Sequence, residues 1–76
     1  MNTVKSLDEE LRTLVRKARK NRKISQQRLA DFMNELYDAN WFQQTVQKVE
    51  SGNRSITAGE MIALMSILGI DVWTKK

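Results

Sequence analysis

The chain has 76 residues, a net charge of +4 and neither cysteine nor histidine. This length fits one small domain, residues 1–76, with a compact core. The missing residue types exclude disulfides, thiol chemistry and the commonest zinc ligands, and they suit a reducing cytoplasm. The N-terminus, MNTVKSLDEE, carries acids where a signal peptide has a basic and then an apolar run. We therefore expect a cytoplasmic protein that needs no cofactor and does not enter a membrane.

Apolar residues at helical spacing predict a first amphipathic helix from about Leu7 to Arg22. Its inner face would comprise Leu7, Leu11, Leu14, Val15 and Ala18. Asp8, Glu9 and Glu10 would lie in its first turn, where the helix dipole favours negative charge. Between Arg12 and Arg28 the chain carries eight basic residues and no acid. Such a run can be a solvated helix face, but an uncompensated positive field also fits a polyanionic partner.

Two further helices follow. Ser25 is a good N-cap for a second helix, which should run to about Tyr37 with Leu29, Ala30, Met33 and Leu36 facing inward. YDAN, residues 37–40, breaks the pattern with turn-forming residues. A short third helix should begin at Gln43 and end at residues 50–51, with Val46 and Val49 facing inward and Gly52 closing it.

The sequence TAGE, residues 57–60, predicts a capping box at the start of a fourth helix. Its apolar side would comprise Met61, Ile62, Leu64, Met65 and Leu68, and Gly69 would end it. Met61 and Met65 are interpreted as core residues and not as a cofactor site. No segment alternates like a strand, so the domain is predicted to be all-α.

The order of these motifs resembles a known family: a basic helix, SQQRLA, a helix holding QQTVQKVESG, and a capped helix that ends in LGI. Over about residues 11–72 the chain resembles the lambda-repressor/Cro-type (XRE-type) helix-turn-helix domain, with the helix-turn-helix itself at about 25–52. The resemblance implies a compact four- to five-helix domain from a bacterial or phage transcriptional regulator, in most cases a repressor. It also implies binding to double-stranded operator DNA, usually as a dimer on a near-palindromic site.

The resemblance implies that the third helix contacts DNA bases through Gln43, Gln44, Gln47 and Lys48. The amide of glutamine offers a donor and an acceptor that match N6 and N7 of adenine in the major groove. The simpler interpretation is that a surface helix needs a polar outer face. The basic run and the order of the motifs favour base contacts.

Contacts to phosphate are implied for Gln26, Thr45, Asn53, Arg54, Ser55, Arg22 and Lys23. Among Asn53, Arg54 and Ser55, in the loop after the third helix, Arg54 is the strongest candidate. Gln26 would also brace the recognition helix, and Thr45 could instead bond only its own helix backbone. In the family an arginine of the first helix pairs with a glutamate near the end of the recognition helix. By position these residues are Arg19 and Glu50, which would form a structural pair.

The chain departs from the family pattern at two places. Lys23 stands where a glycine commonly ends the first helix, so the turn there could differ. The connection between the second and third helices is longer than usual, with Asp38–Trp41 expected as its loop, and Phe42 takes the place of a capping serine or threonine. We expect Phe42 to pack in the core and leave Trp41 open between the core and DNA.

Other functions are less consistent with the sequence. Consecutive acids cannot converge on one substrate, and a small all-helical domain leaves little room for a pocket, so we do not expect an enzyme. An antitoxin-like or protein-interaction module with the same fold is the main alternative, and a basic helix on an anionic membrane is a weaker one. The C-terminal residues Ile70, Val72 and Trp73 could pack back on the core or form a homodimer.

Overall fold

A computed structural model describes the backbone of residues 3–70 and the side chains of residues 9–70. This part of the chain contains no strand and four helices, namely α1 (Thr3–Asn21), α2 (Gln26–Tyr37), α3 (Gln43–Ser51) and α4 (Ala58–Leu68). The predicted all-α class is therefore confirmed. A fifth helix and the packing of Val72 and Trp73 would lie outside the described residues.

The helix α1 begins at Thr3 and not at about Leu7 as predicted. No glycine or proline interrupts the segment from Thr3 to Asn21, so the helix can extend to its early start. Its first turn consequently contains no acid. The predicted placement of Asp8, Glu9 and Glu10 in that turn is wrong, and their interaction with the helix dipole is weaker than expected, because this effect fades beyond the first turn.

The end of α1 keeps a left-handed residue although the sequence has no glycine there. Lys23 has a φ of 58°. The Ile24 N–H donates to the Arg19 carbonyl at 3.0 Å, and the Lys23 N–H donates to the Lys20 carbonyl at 3.0 Å. This is the usual hydrogen bonding of a glycine-ended helix. The turn that usually contains glycine is therefore kept. Lys23 adopts the left-handed conformation in it at a cost of about 1–2 kcal/mol.

The boundaries of the other three helices follow from local signals. The Ser25 hydroxyl accepts a hydrogen bond from the Arg28 N–H at 2.9 Å. The Thr57 hydroxyl accepts from the Glu60 N–H at 3.1 Å, while the Glu60 carboxylate accepts from the Thr57 N–H at 3.0 Å. Gly52 ends α3 in a left-handed conformation, and Gly69 does the same for α4. These predicted caps are confirmed.

One hydrophobic core holds the helices together. The helix α3 packs mainly against α2, and α4 packs against both α1 and α2. The buried apolar side chains are Val15, Leu29, Ala30, Met33, Trp41, Val46, Val49, Ala63, Leu64 and Leu68. Ile70 is partly buried against this cluster. Both inward valines of α3 thus attach this helix to the core.

Three residues predicted to face the core are exposed. Leu36 is 62% exposed and Ile62 is 60% exposed, while Leu14 is 39% exposed. Each continues an apolar stripe that is longer or wider than the surface packed against it. On α4, Ala63 is buried, and Met61 and Met65 are only half-buried. Helical spacing identifies the inner face, but the width of the buried strip depends on the neighbouring helices.

Candidate nucleic-acid interface

The connection between α2 and α3 is held by the side chain of Asn34. Its amide nitrogen donates to the Trp41 carbonyl at 2.8 Å, and its amide oxygen accepts from the Trp41 N–H at 2.5 Å. Asp38 and Asn40 have φ values of 55° and 61°, a left-handed conformation that Asn and Asp tolerate better than most residues. The chain therefore turns without glycine, and Asn34 fixes the distance between the two helices.

Trp41 anchors this connection in the core. It is only 3% exposed, and its indole nitrogen donates to Glu60 at 3.3 Å. Phe42 is 63% exposed, so the prediction that Phe42 packs in the core is wrong. Trp41 enters the core and Phe42 does not, because the backbone at Phe42 is extended, with φ −120° and ψ 170°. Successive side chains of an extended segment point to opposite sides, and only one of them can enter the core.

The first turn of α3 is held by Thr45 and not by the residue before the helix. Phe42 provides no side-chain cap. The Thr45 hydroxyl accepts a hydrogen bond from the Phe42 N–H at 3.0 Å. Of the two alternatives for Thr45, the bond to its own helix backbone is therefore present. The hydroxyl proton remains available to a further acceptor.

Gln26, the first residue of α2, bridges to both ends of α3. Its amide oxygen accepts from the Gln43 amide at 2.6 Å, and its amide nitrogen donates to Glu50 at 3.1 Å. This is the bracing position that the family resemblance implied for Gln26. Each of its polar atoms is engaged with α3, and one amide N–H remains for a further partner.

Arg19 and Glu50 form a bidentate ion pair between α1 and α3. Arg19 Nε lies 2.6 Å from Glu50 Oε2, and Arg19 Nη2 lies 3.1 Å from Oε1. The two side chains are 10% and 6% exposed, and Arg19 also donates from Nη1 to the Ile24 carbonyl at 2.9 Å. The structure thus brings together the pair that the resemblance implied, and it anchors the C-terminal half of α3 to α1.

The outward face of α3 is polar and accessible. Gln44, Gln47 and Lys48 are exposed, whereas Gln43 is half-buried beside Gln26. These positions lie opposite Val46 and Val49, because residues at spacings of three and four share one helix face. Of the four predicted base-contacting residues, three have no side-chain partner among the described residues, and Gln43 has one. We call Gln44, Gln47 and Lys48 the glutamine face.

The predicted phosphate-contacting residues differ in their exposure and in the partners that they have within the fold. Lys23, Asn53 and Ser55 are exposed. The Asn53 amide donates to the Ser51 hydroxyl at 3.2 Å, which orders the loop after α3. Arg22 Nε donates to the Leu68 carbonyl at 2.8 Å, so Arg22 fastens the end of α1 to the end of α4. One N–H group of the Arg22 guanidinium is thus already bonded within the fold.

Arg54, expected as the strongest phosphate contact of the loop after α3, already has a carboxylate partner. Its Nη1 and Nη2 atoms each lie 3.0 Å from an oxygen of Glu60, and Nη1 also donates to the Ser55 carbonyl at 3.1 Å. The guanidinium lies 5.2 Å from the centre of the Trp41 ring. Arg54, Glu60 and Trp41 form a cluster, hereafter the Glu60 cluster, which joins the loop before α3 to the loop after it.

In the Glu60 cluster, Arg54 and Glu60 each stabilise the charged form of the other. Hydrogen bonds from Arg54 lower the pKa of Glu60 to about 2 from its ordinary value of 4.5, against the opposing effect of burial, and the Thr57 N–H adds to the lowering. The same hydrogen bond raises the pKa of Arg54. The carboxylate of Glu60 therefore stays ionised under ordinary conditions and compensates the charge of Arg54.

A basic groove runs between α1 and the C-terminal end of α3. Its cationic lining consists of Arg12, Arg16, Lys17 and Lys20, and Glu9, Thr13, Glu50 and Ser51 complete it. Arg12 also lies against Gly52 at the C-terminus of α3, where the helix dipole favours a positive charge. These cations border the same end of α3 that carries Lys48. The positive run of the sequence thus adjoins α3.

Asn34 and Glu60 were not identified from the sequence as parts of this site, and Trp41 was left open between the core and DNA. Asn34 clamps the connection, Trp41 anchors it, and Glu60 binds Arg54 in addition to its predicted capping role. The spacing of asparagine and tryptophan around a turn carries no recognisable signal. Only the Thr57–Glu60 capping box could have drawn attention to Glu60.

A family model described as helix-turn-helix matches residues 15–72. This range includes α2, α3, the connection between them and α4. No curated protein and no solved structure matches the chain significantly.

The chain therefore belongs to the XRE-type helix-turn-helix family, a family of DNA-binding regulatory domains. The predicted family and fold are confirmed. No helix within the described residues is long and apolar enough to cross a bilayer.

Proposed function

We propose that this domain is a transcriptional repressor that binds a specific sequence of double-stranded DNA with α3 in the major groove. The main support is the glutamine face, which is exposed while the helix beneath it is fixed at both ends. Gln26 bonds to Gln43 at one end, and Glu50 bonds to Arg19 and Gln26 at the other. A rigid helix with accessible amides suits direct reading of base edges.

Gln44 and Gln47 would bond to adenine through the N6 and N7 atoms, and Lys48 would donate to O6 or N7 of guanine. Gln43 would use the amide N–H and the carbonyl oxygen that the bond to Gln26 leaves over. Its base contact would keep the geometry of that bond, so Gln26 would position Gln43 as well as the helix. The glutamine face supplies the sequence preference.

Contacts to the phosphate backbone would surround this face. Lys23, Asn53 and Ser55 would donate to phosphates, as would Thr45 through its hydroxyl proton and Gln26 through its remaining amide N–H. We assign lesser phosphate roles to Arg22 and Arg54, because Arg22 bonds to the Leu68 carbonyl and Arg54 is charge-compensated by Glu60. The cations of the groove beside α3 add long-range attraction.

Repression by such a small domain would operate through occupancy of a near-palindromic operator by two copies of the chain. Dimers of this class place their recognition helices about 34–36 Å apart, one turn of B-DNA. The C-terminal residues Val72 and Trp73 are the proposed dimer contact. Ile70 contributes less, since it is partly buried against the core of its own domain.

A protein-interaction or antitoxin-like role is the second candidate. The observation that favours it is the exposure of Leu36 and Tyr37, at 62% and 45%, on the last turn of α2. Exposed apolar side chains in a cluster mark many protein-binding surfaces. Both functions can coexist, because these residues are not on the glutamine face.

Selection of bound duplexes from a random pool, followed by affinity measurement over a salt series, tests the proposal. We expect steep salt dependence, with a slope of log K against log salt of roughly −5 if about six phosphates are contacted. A scrambled duplex and anionic lipid vesicles serve as controls. The absence of duplex binding at about 50 mM salt, or equal binding to selected and scrambled duplexes, would contradict the proposal.

A further inference from the structure

Phe42 occupies a position where a smaller polar residue would stabilise the folded domain better. It stands at the N-cap of α3, provides no side-chain hydrogen bond there, and is 63% exposed. Serine, threonine or asparagine at an N-cap stabilises a helix by about 1 kcal/mol relative to residues that cannot cap. The phenyl ring is therefore unfavourable for the helix and leaves a large apolar surface in water.

The orientation of Phe42 is fixed by its neighbours. Asn34 holds both backbone polar groups of Trp41, whose side chain is buried. The Thr45 hydroxyl holds the Phe42 N–H at 3.0 Å. Since the backbone at Phe42 is extended, its side chain points away from the core that Trp41 enters. The ring consequently stands at the start of α3, directly before Gln43 and Gln44.

The major groove contains one apolar group that such a ring can contact. Each thymine presents its C5-methyl there, beside the O4 acceptor, and apolar side chains including phenylalanine recognise it. An adenine that is read by glutamine is paired with a thymine, so the methyl group lies in the same groove and the same base pair. The ring and the amides thus have complementary targets within a short segment of DNA.

We propose that Phe42 is a specificity-determining residue that packs against the C5-methyl group of a thymine at the edge of the segment read by α3. This inference rests on the proposed function. Contact with the methyl group would remove apolar surface of the ring from water and would add a preference for thymine to the preference of the glutamine face for adenine.

The test removes the methyl group from the DNA and the ring from the protein, separately and together. Each thymine of the selected duplex is replaced singly by uracil, which differs only by the missing methyl group. The affinities of wild type and of Phe42→Ser are measured on every duplex, with Phe42→Leu as a second variant that retains apolar surface. Tyr37→Ser is the matched control, because Tyr37 is also an exposed aromatic but ends α2.

For the wild type and for Tyr37→Ser, uracil at one thymine should lower affinity about three- to tenfold, the order expected for one methyl group in an apolar contact. Phe42→Ser should bind the thymine and uracil duplexes equally, and Phe42→Leu should retain part of the difference. Thermal unfolding should show Phe42→Ser to be at least as stable as wild type, because serine caps the helix.

Uracil that weakens wild type and Phe42→Ser by the same factor, or that affects neither, would overturn the inference. A selected site without thymine in the segment would overturn it as well. These outcomes differ from failure of the proposed function, in which wild type binds selected and scrambled duplexes alike. In that case both proposals fall together.

Discussion

Glu50 is a carboxylate in an unfavourable place, near the C-terminal end of a helix and on the element proposed to approach DNA. A negative charge at a helix C-terminus opposes the helix dipole. The structure compensates for it with the bidentate contact to Arg19 and the hydrogen bond from Gln26. Both partners lie on helices other than α3. Glu50 therefore attaches α3 to the rest of the domain, although its charge opposes the dipole of its own helix.

Glu50→Gln should destabilise the free domain by about 3 kcal/mol, because it leaves the buried charge of Arg19 without its partner. The free energy of unfolding, measured by urea titration without DNA, tests this. Glu35→Gln is a matched control, since Glu35 is exposed on α2 and its change should have little effect. A variant Glu50→Gln as stable as wild type would show that the pair does not stabilise the fold.

Glu60→Gln should flatten the stability profile at acid pH. The pKa of Glu60 is lowered to about 2 in the folded domain from its ordinary value of 4.5 by Arg54. A lowered carboxyl pKa stabilises the fold fully above the ordinary value, and the contribution is lost as pH falls toward the folded value. Wild type should therefore lose stability between pH 4.5 and about 2 faster than Glu60→Gln. Parallel profiles over that range would contradict the assignment.

At the scale of elements, the connection from α2 to α3 determines how α3, the proposed recognition helix, is oriented on the domain. Gln26 and the Arg19–Glu50 pair fix α3 from the side of α1 and α2, while the Glu60 cluster fixes the loops on either side of it. Asn34 is the residue on which the longer connection depends, since it bonds to both backbone groups of Trp41.

Asn34→Ala should destabilise the domain by about 2 kcal/mol, because two partly buried backbone groups lose their partner. We expect a lower melting temperature and weaker DNA binding even where the domain is still folded, since the angle of α3 is no longer fixed. Asn21→Ala, at the exposed end of α1, is the control and should change neither. Unchanged stability and affinity in Asn34→Ala would mean that the connection is held by other contacts.

The sequence predicted those elements whose signals are local. Ser25, Thr57, Gly52 and Gly69 mark helix ends through bonds that they make within a few residues, and all four boundaries agree with the structure. That Trp41 and not Phe42 enters the core could not be predicted, because it depends on the hydrogen bonds between Asn34 and the backbone of Trp41. Leu36 and Ile62 continue correct apolar patterns, and only the neighbouring helices determine that they stay exposed.

In the candidate site too, features with local signals could be predicted, and features that depend on tertiary contacts could not. Helical spacing alone predicts that Gln44, Gln47 and Lys48 face outward, because Val46 and Val49 must face inward. The partners of Arg54 depend on tertiary structure, so its expected phosphate role did not take Glu60 into account. The Arg19–Glu50 pair was implied by the family resemblance and could not be derived from periodicity, since the two residues lie 31 positions apart.

At the scale of the whole molecule, positive charge and rigidity are combined on one side of α3. The cations of α1 line the groove at its C-terminal end. Arg19 and Gln26 bond directly to α3, while Asn34 and Glu60 hold the loops on either side of it. A preorganised recognition helix binds without a large ordering cost. The free energy of binding can then reflect base contacts and released counterions.

The affinity of Gln44→Ala for the selected duplex and for its single base-pair variants tests the central claim most directly, namely that α3 reads bases. Gln27→Ala is the matched control, because Gln27 is an exposed glutamine on α2 that bonds to Asp31. Gln44→Ala should lose about 1–3 kcal/mol on the best site and lose its preference at one or two base pairs, while Gln27→Ala keeps the full preference. A uniform loss on every duplex, with all preferences retained, would contradict the claim.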